Sequence, residues 1–161
     1  MKRVPNRLIR VVLLASLGWL CSVPVAEPMA EARLPLVQGG QPLATVEGDQ
    51  YLVAVEAPTL EVGKEGALRV SIAGKNGFKF NKDFPVKLEL TAPPEGLSAR
   101  KLVLKRDDGQ LDADGKFNFL VPLLASKAGE FALEATLKFS VCNDDKCVVQ
   151  RQTLRAQVVA R

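Results

Sequence analysis

Phe131-Ala132-Leu133-Glu134-Ala135-Thr136-Leu137-Lys138-Phe139-Ser140-Val141 is the stretch that decides the fold. Phe131, Leu133, Ala135, Leu137, Phe139 and Val141 share one parity, and Glu134, Thr136, Lys138 and Ser140 hold the other. Successive side chains of a β-strand point to opposite faces, so this run is a strand with one apolar and one polar face. It leads into Cys142-Asn143-Asp144-Asp145-Lys146-Cys147, two cysteines on either side of a four-residue polar turn. Beyond the turn, Val148, Leu154, Ala156 and Val158 fall on one face, and Arg151, Thr153, Arg155 and Gln157 on the other. Two long alternating runs joined by so short a turn predict an antiparallel hairpin.

The same pattern recurs upstream. Tyr51–Glu56 is a strand stopped by Pro58. Leu68, Val70 and Ile72 alternate with Arg69 and Ser71; Val86, Leu88 and Leu90 alternate with Lys87 and Glu89; Phe117, Phe119 and Val121 alternate with Lys116 and Asn118. Arg100–Lys105 is less clearly patterned, with Leu102, Val103 and Leu104 in a row. Turn residues separate these runs: Gly74-Lys75-Asn76-Gly77, Pro93-Pro94-Glu95-Gly96, Asp107-Asp108-Gly109, Asp114-Gly115 and Lys127-Ala128-Gly129. No segment carries a sustained helical period. Roughly seven to nine short strands in about 110 residues predict an all-β chain, an antiparallel β-sandwich of immunoglobulin type, with a small barrel as the alternative.

The first 32 residues read as a signal peptide. Lys2, Arg3, Arg7 and Arg10 precede an apolar run, Val11 to Cys21, closed by Pro24. Cleavage is expected at Ala32, with Ala26 as a second candidate. The run is short of the about 20 residues that a membrane span needs. Cys21 follows Gly18-Trp19-Leu20, and the bulky Leu20 fits a lipidation signal poorly. The expected organisation is a leader at 1–32, a linker or loose first strand at 33–50, and the sandwich at 51–161. Export to the periplasm is the expected destination, with secretion or membrane anchoring as alternatives.

Composition narrows the functional classes. The chain has 161 residues, 47% apolar and 25% charged, the balance of a globular domain. Its net charge of +4 falls by half when the leader is removed, because that segment holds four basic residues against Glu27 and Glu31. No basic run is interleaved with aromatics, so nucleic-acid binding is not expected. The chain has no histidine. Two mature cysteines without histidine cannot complete a four-ligand zinc site, and no nucleophile–base pair for hydrolysis is evident. Asp107, Asp108, Asp112 and Asp114 lack the spacing and glutamate of an EF-hand and read as solvated turns. Phe78, Phe80 and Phe84 read as core or strand-end packing. No metal and no cofactor are expected.

Covalent chemistry in the mature chain therefore centres on Cys142 and Cys147. Each sits on the polar parity of its strand, so both sulfurs should point away from the core across the mouth of the hairpin. Directly opposed residues there lie about 4.5–5.5 Å apart at Cα, within disulfide range. Outside the cytoplasm an oxidised pair is the default. A disulfide closing so short a loop contributes roughly 2 kcal/mol, which is modest for a staple. Asp144 and Asp145 disfavour a neighbouring thiolate, while Lys146 and Lys138 favour it. The residues leave two readings open: a dithiol that exchanges electrons, and a staple that pins a hairpin.

Lys127-Ala128-Gly129-Glu130, then Thr136-Leu137-Lys138-Phe139-Ser140-Val141-Cys142-Asn143-Asp144-Asp145-Lys146-Cys147, resembles the end of the N-terminal periplasmic domain of the thiol:disulfide interchange protein DsbD and of the related disulfide-bond-corrector domains. Gly77-Phe78-Lys79-Phe80-Asn81-Lys82-Asp83-Phe84-Pro85 is similar to a segment of their stand-alone members. The resemblance spans roughly residues 60–160 and implies an immunoglobulin-like fold with a reversible cysteine pair. It implies that Cys142 and Cys147 exchange electrons with a thioredoxin-like or membrane-embedded oxidoreductase, supported by Phe139, Asp144 and Lys146. Such a chain would be a component of an oxidoreductase system, without the membrane domain or thioredoxin-like domain of the full-length protein. Two departures stand out: Val148-Val149-Gln150 replaces a frequent proline, and Lys105–Gln110, where the family places an aromatic cap, has no aromatic. The reading from a different class is a non-catalytic envelope binding module in which the pair is permanent.

Overall fold

The computed structural model describes residues 44–161, which fold into two antiparallel sheets. The leader, its cleavage sites, Cys21 and most of the 33–50 segment lie outside the described residues. The strands are β1 Ala44–Glu47, β2 Tyr51–Glu56, β3 Glu65–Gly74, β4 Lys79–Phe80, β5 Lys87–Leu90, β6 Leu97–Ala99, β7 Val103–Lys105, β8 Gly109–Leu111, β9 Phe117–Ala125, β10 Gly129–Cys142 and β11 Cys147–Ala160. Seven of the eleven are four residues or longer. The others are edge pieces too short to show a period in sequence. β1 occupies part of the segment read as a linker or loose first strand, and it pairs with β2 from Ala44↔Val55 to Glu47↔Leu52.

One sheet has the order β1-β2-β3-β9-β6, with β8 on the same edge of β9 as β6. The other has the order β11-β10-β5-β7, with β4 also on β10. The neighbours β2-β3-β9 and β5-β10-β11 reproduce the division of the immunoglobulin sandwich into A-B-E and C-F-G. The barrel alternative is set aside by these two separate sheets.

Alternation explains the core. Leu68, Val70 and Ile72 of β3, Phe117, Phe119, Val121 and Leu123 of β9, and Phe131 to Val141 at every second position of β10 are all buried. Aromatic pairs tie the sheets together. Tyr51 of β2 meets Phe139 of β10 edge to face at 5.2 Å, and Phe80 of β4 stacks on Phe117 of β9 at 4.6 Å. The Tyr51 hydroxyl stays satisfied by accepting from Gln152 Nε2 at 2.7 Å. β10 and β11 pair without a break from Gly129↔Ala160 to Cys142↔Cys147. The far end of this hairpin is clasped by Leu60, whose N–H donates to Val159 O and whose carbonyl accepts from Arg161 N.

Candidate functional site

The hairpin tip is built by Asn143. Its backbone N–H donates to Lys146 O at 3.0 Å, and its Oδ1 accepts from the N–H groups of Asp145 (3.1 Å) and Lys146 (2.9 Å). Asparagine suits this position because its short amide can substitute for a backbone acceptor in a tight turn. The turn sets Cys142 opposite Cys147, with Cα atoms 4.0 Å apart, and the two are disulfide-bonded. Cys147 is exposed and Cys142 half-buried, while Val141 beside them is fully buried. The parity reading of the sulfurs thus matches the structure: they lie on the outer face, and the core contains neither.

A second element reaches the pair. β4 joins the free edge of β10 through Cys142↔Lys79 and Val141↔Phe80, and Asn81 N then donates to Ser140 O at 2.9 Å. The chain next leaves the edge and rejoins it at Lys138↔Lys87 in β5. Within this detour Asn81 Oδ1 accepts from Asp83 N at 3.0 Å, which turns the amide nitrogen outward, 4.0 Å from Cys147 Sγ. Phe84 lies under the Lys138 ammonium, 5.7 Å from ring centroid to Nζ. Ser140, between Lys138 and Cys142 on this face, is only 1% exposed, and its hydroxyl has no hydrogen-bond partner among the described residues. Parity alone marked Ser140 as solvated; the detour covers it. Asn81 and Lys79 were absent from the sequence-based site. Their only signal was membership of the Gly77–Pro85 segment.

The other expected site residues divide between two places. Asp144 and Lys146 are exposed in the turn, neither in an ion pair among the described residues. Phe139 is fully buried against Tyr51, on the opposite face from the sulfurs. It packs the core side of the strand that carries Cys142. A groove of about 730 Å³ runs beside Cys142, walled by Asn81–Asp83, Leu111, Ala113–Lys116 and Asn143–Asp144. Lys105–Gln110 forms no part of that wall; it is the end of β7, a 3-10 turn at Arg106–Asp108, and the start of β8.

The aspartates serve as turn formers. Asp112 accepts from the N–H groups of Asp114 and Lys116 and from Asn118 Nδ2, at 2.9–3.0 Å. Its carboxyl is held below the ordinary range, chiefly by the Lys116 N–H. Asp108 is lowered mainly by the Lys101 ammonium, 2.6 Å away, and then by the Lys105 N–H. Among the described residues no three histidine, cysteine, aspartate or glutamate side chains gather as a metal site would require.

No family model matches this chain, and no curated protein matches it. Among solved structures it is similar to WR4, a C. elegans MSP family member, at 12% identity over 68% of this chain and 97% of that one, TM-score 0.37. It is also similar to AggA, the major subunit of aggregative adherence fimbriae type I from Escherichia coli, at 12% identity over 73% and 99%, TM-score 0.35. A PapD-like domain of human CEP192 aligns at 14% identity over 80% and 95%, TM-score 0.36. Similarity of this degree adds nothing to what the strand order already states. The class that fold and site define is a disulfide-bonded, immunoglobulin-like β-sandwich.

Proposed function

We propose that this chain is an exported thiol–disulfide exchange domain that passes electrons through Cys142–Cys147. Its partner would be a thioredoxin-like or membrane-embedded oxidoreductase, and it would need no cofactor of its own. One observation carries this reading: the disulfide stands on the exposed outer face of a hairpin whose inner face alone builds the core. Opening the bond therefore costs no core packing. The resemblance of Cys142–Cys147 and Gly77–Pro85 to disulfide-interchange domains supports it.

The chemistry is a pair of sulfur displacements. A partner thiolate attacks the exposed Cys147 sulfur, forming a mixed disulfide and releasing Cys142 as a thiolate. The partner's second thiol, as its thiolate, then displaces Cys147, so the partner leaves oxidised and the domain leaves with two thiols. Run backwards, the same steps oxidise the domain. The test is the reduction potential of the pair in a thiol redox buffer. A value near about −200 mV supports exchange, and a value below about −300 mV marks a structural bond and sinks it.

The second reading, a β-sandwich binding module with a permanent staple, is favoured by the register. Cys142 and Cys147 are directly opposed in an unbroken ladder, and Asn143 closes the turn, so the bond joins residues that pairing already brings together. The same potential decides between the two.

A further inference from the structure

The outer face of the β11-β10-β5-β7 sheet carries a row of cations. Arg151 of β11 is opposite Lys138 of β10, Lys138 is opposite Lys87 of β5, and Lys87 is opposite Lys105 of β7. Four basic side chains thus stand abreast on four adjacent strands. Like charges directly opposed across strands are destabilising. Little here offsets that. Glu89, two residues along β5, binds Lys87 at 2.5 Å and also lies near enough to Arg151 to feel its charge. Lys138 rests on the Phe84 ring and pairs with no carboxylate among the described residues. At the β7 end Lys82 and Arg106 stand beside Asp83 and Asp107, and Asp108, which accepts from the Lys105 N–H and feels the Lys105 charge, is bound by Lys101, so that rim carries no net charge and the row keeps its excess.

Lysine on an edge strand is a common guard against unwanted sheet pairing. That accounts for Arg151 and Lys105, on the outermost strands. It does not account for Lys87 and Lys138, which are on the inner strands β5 and β10.

The row is aligned with the disulfide. It lies four residues from Cys142–Cys147 on the same face, about 13–14 Å along the strands, and spans about 14 Å across them. Lys79, opposite Cys142, extends the positive charge to the sulfurs. Beyond the sulfurs the sign reverses at Asp144 and Asp145. A partner covering the about 800 Å² of a standard interface would reach the row and Cys147 together.

We propose that the Lys105–Lys87–Lys138–Arg151 row is the docking surface for an acidic protein partner, which it steers so that the partner's cysteine meets the disulfide. This deepens the exchange reading and rests on it. Complementary charge raises encounter rates and fixes orientation, and salt screens it.

The test uses two synthetic peptides, one with a cysteine among glutamates and one with a cysteine among lysines. Each is timed as it opens the Cys142–Cys147 disulfide, and its rate is divided by its rate on hydroxyethyl disulfide to remove intrinsic thiol reactivity. At low salt the glutamate peptide should lead by about tenfold. That lead should vanish in Lys138→Gln/Arg151→Gln and survive in Lys64→Gln/Arg69→Gln. Equal rates, or a lead that survives in Lys138→Gln/Arg151→Gln, overturn the proposal. A second arm needs no redox chemistry: the glutamate peptide with serine for cysteine should shift the backbone amide resonances of Lys87, Lys138 and Arg151. A reduction potential that sinks the exchange reading leaves this arm readable. Shifts confined to the row still support an acidic partner, and their absence overturns it. Binding of phosphatidylglycerol vesicles through the same residues, with no response to the peptide, also overturns it and assigns the row to a membrane surface.

Discussion

The two ends of the β10–β11 hairpin are held together by different physics. At the base, Phe131, Leu133, Leu154, Ala156 and Val158 are buried on the inner face, and Leu60 clasps the last residues of β11. At the tip, Val141 is the last buried side chain on β10; beyond it the strands are joined by a disulfide, an asparagine-built turn and Asn81. Burial organises one end, and covalent and polar links organise the other. Chemistry at the tip can therefore proceed while the base stays packed.

The largest blow to that division is Phe139→Ala. Phe139 sits three residues from Cys142 but faces the core, so its loss should cost about 3–5 kcal/mol in urea unfolding. The rate at which dithiothreitol opens the disulfide in the folded variant should change little. A large change in that rate would mean the ring acts on the sulfurs. Next comes Cys142→Ser with Cys147→Ser. This variant should remain folded and lose roughly 2 kcal/mol, the entropy of a short cross-link. Failure to fold would place the sulfurs among the core elements and erase the contrast.

Asn143→Ala should cost about 1 kcal/mol, because two turn N–H groups lose their acceptor to water. Amide hydrogen exchange should quicken at Asp145 and Lys146 and stay unchanged at Leu133 and Ala156. Protection lost at both ends would show that tip and base open as one unit. The smallest effect concerns Asp112, on the loop that walls the groove. Its folded-state pKa is depressed, so its contribution is complete above the unfolded value and is lost as pH falls through the folded one. Asp112→Asn should lower the urea midpoint slightly at neutral pH, where the carboxylate form is lost, and flatten the fall in midpoint below about pH 4. An unaltered acid limb would show that the carboxylate form is not preferred over the acid in the turn.

Much of this contrast was legible in the chain. The alternation of Phe131 to Val141 announced both the strand and its buried face, and the same parity sent Cys142 and Cys147 outward. Short pieces were not legible, because Lys79–Phe80 or Gly109–Leu111 offers too few residues for a period to register. Ser140 misled for a different reason: its position in the alternation is polar, yet a segment some sixty residues earlier lies over it. The cationic row was invisible, since Lys87, Lys105, Lys138 and Arg151 each look like an ordinary solvated residue on its own strand.

The sequence by itself determined what the pleat dictates locally: which segments extend, which side chains share a face, and that the cysteines close a four-residue turn on the polar side. Only the tertiary structure decided which strands became neighbours and in what register. That choice is made by packing Tyr51 on Phe139 and Phe80 on Phe117 across two sheets. Asn81 beside Cys147 and four cations abreast are consequences of that packing, and no local pattern encodes them.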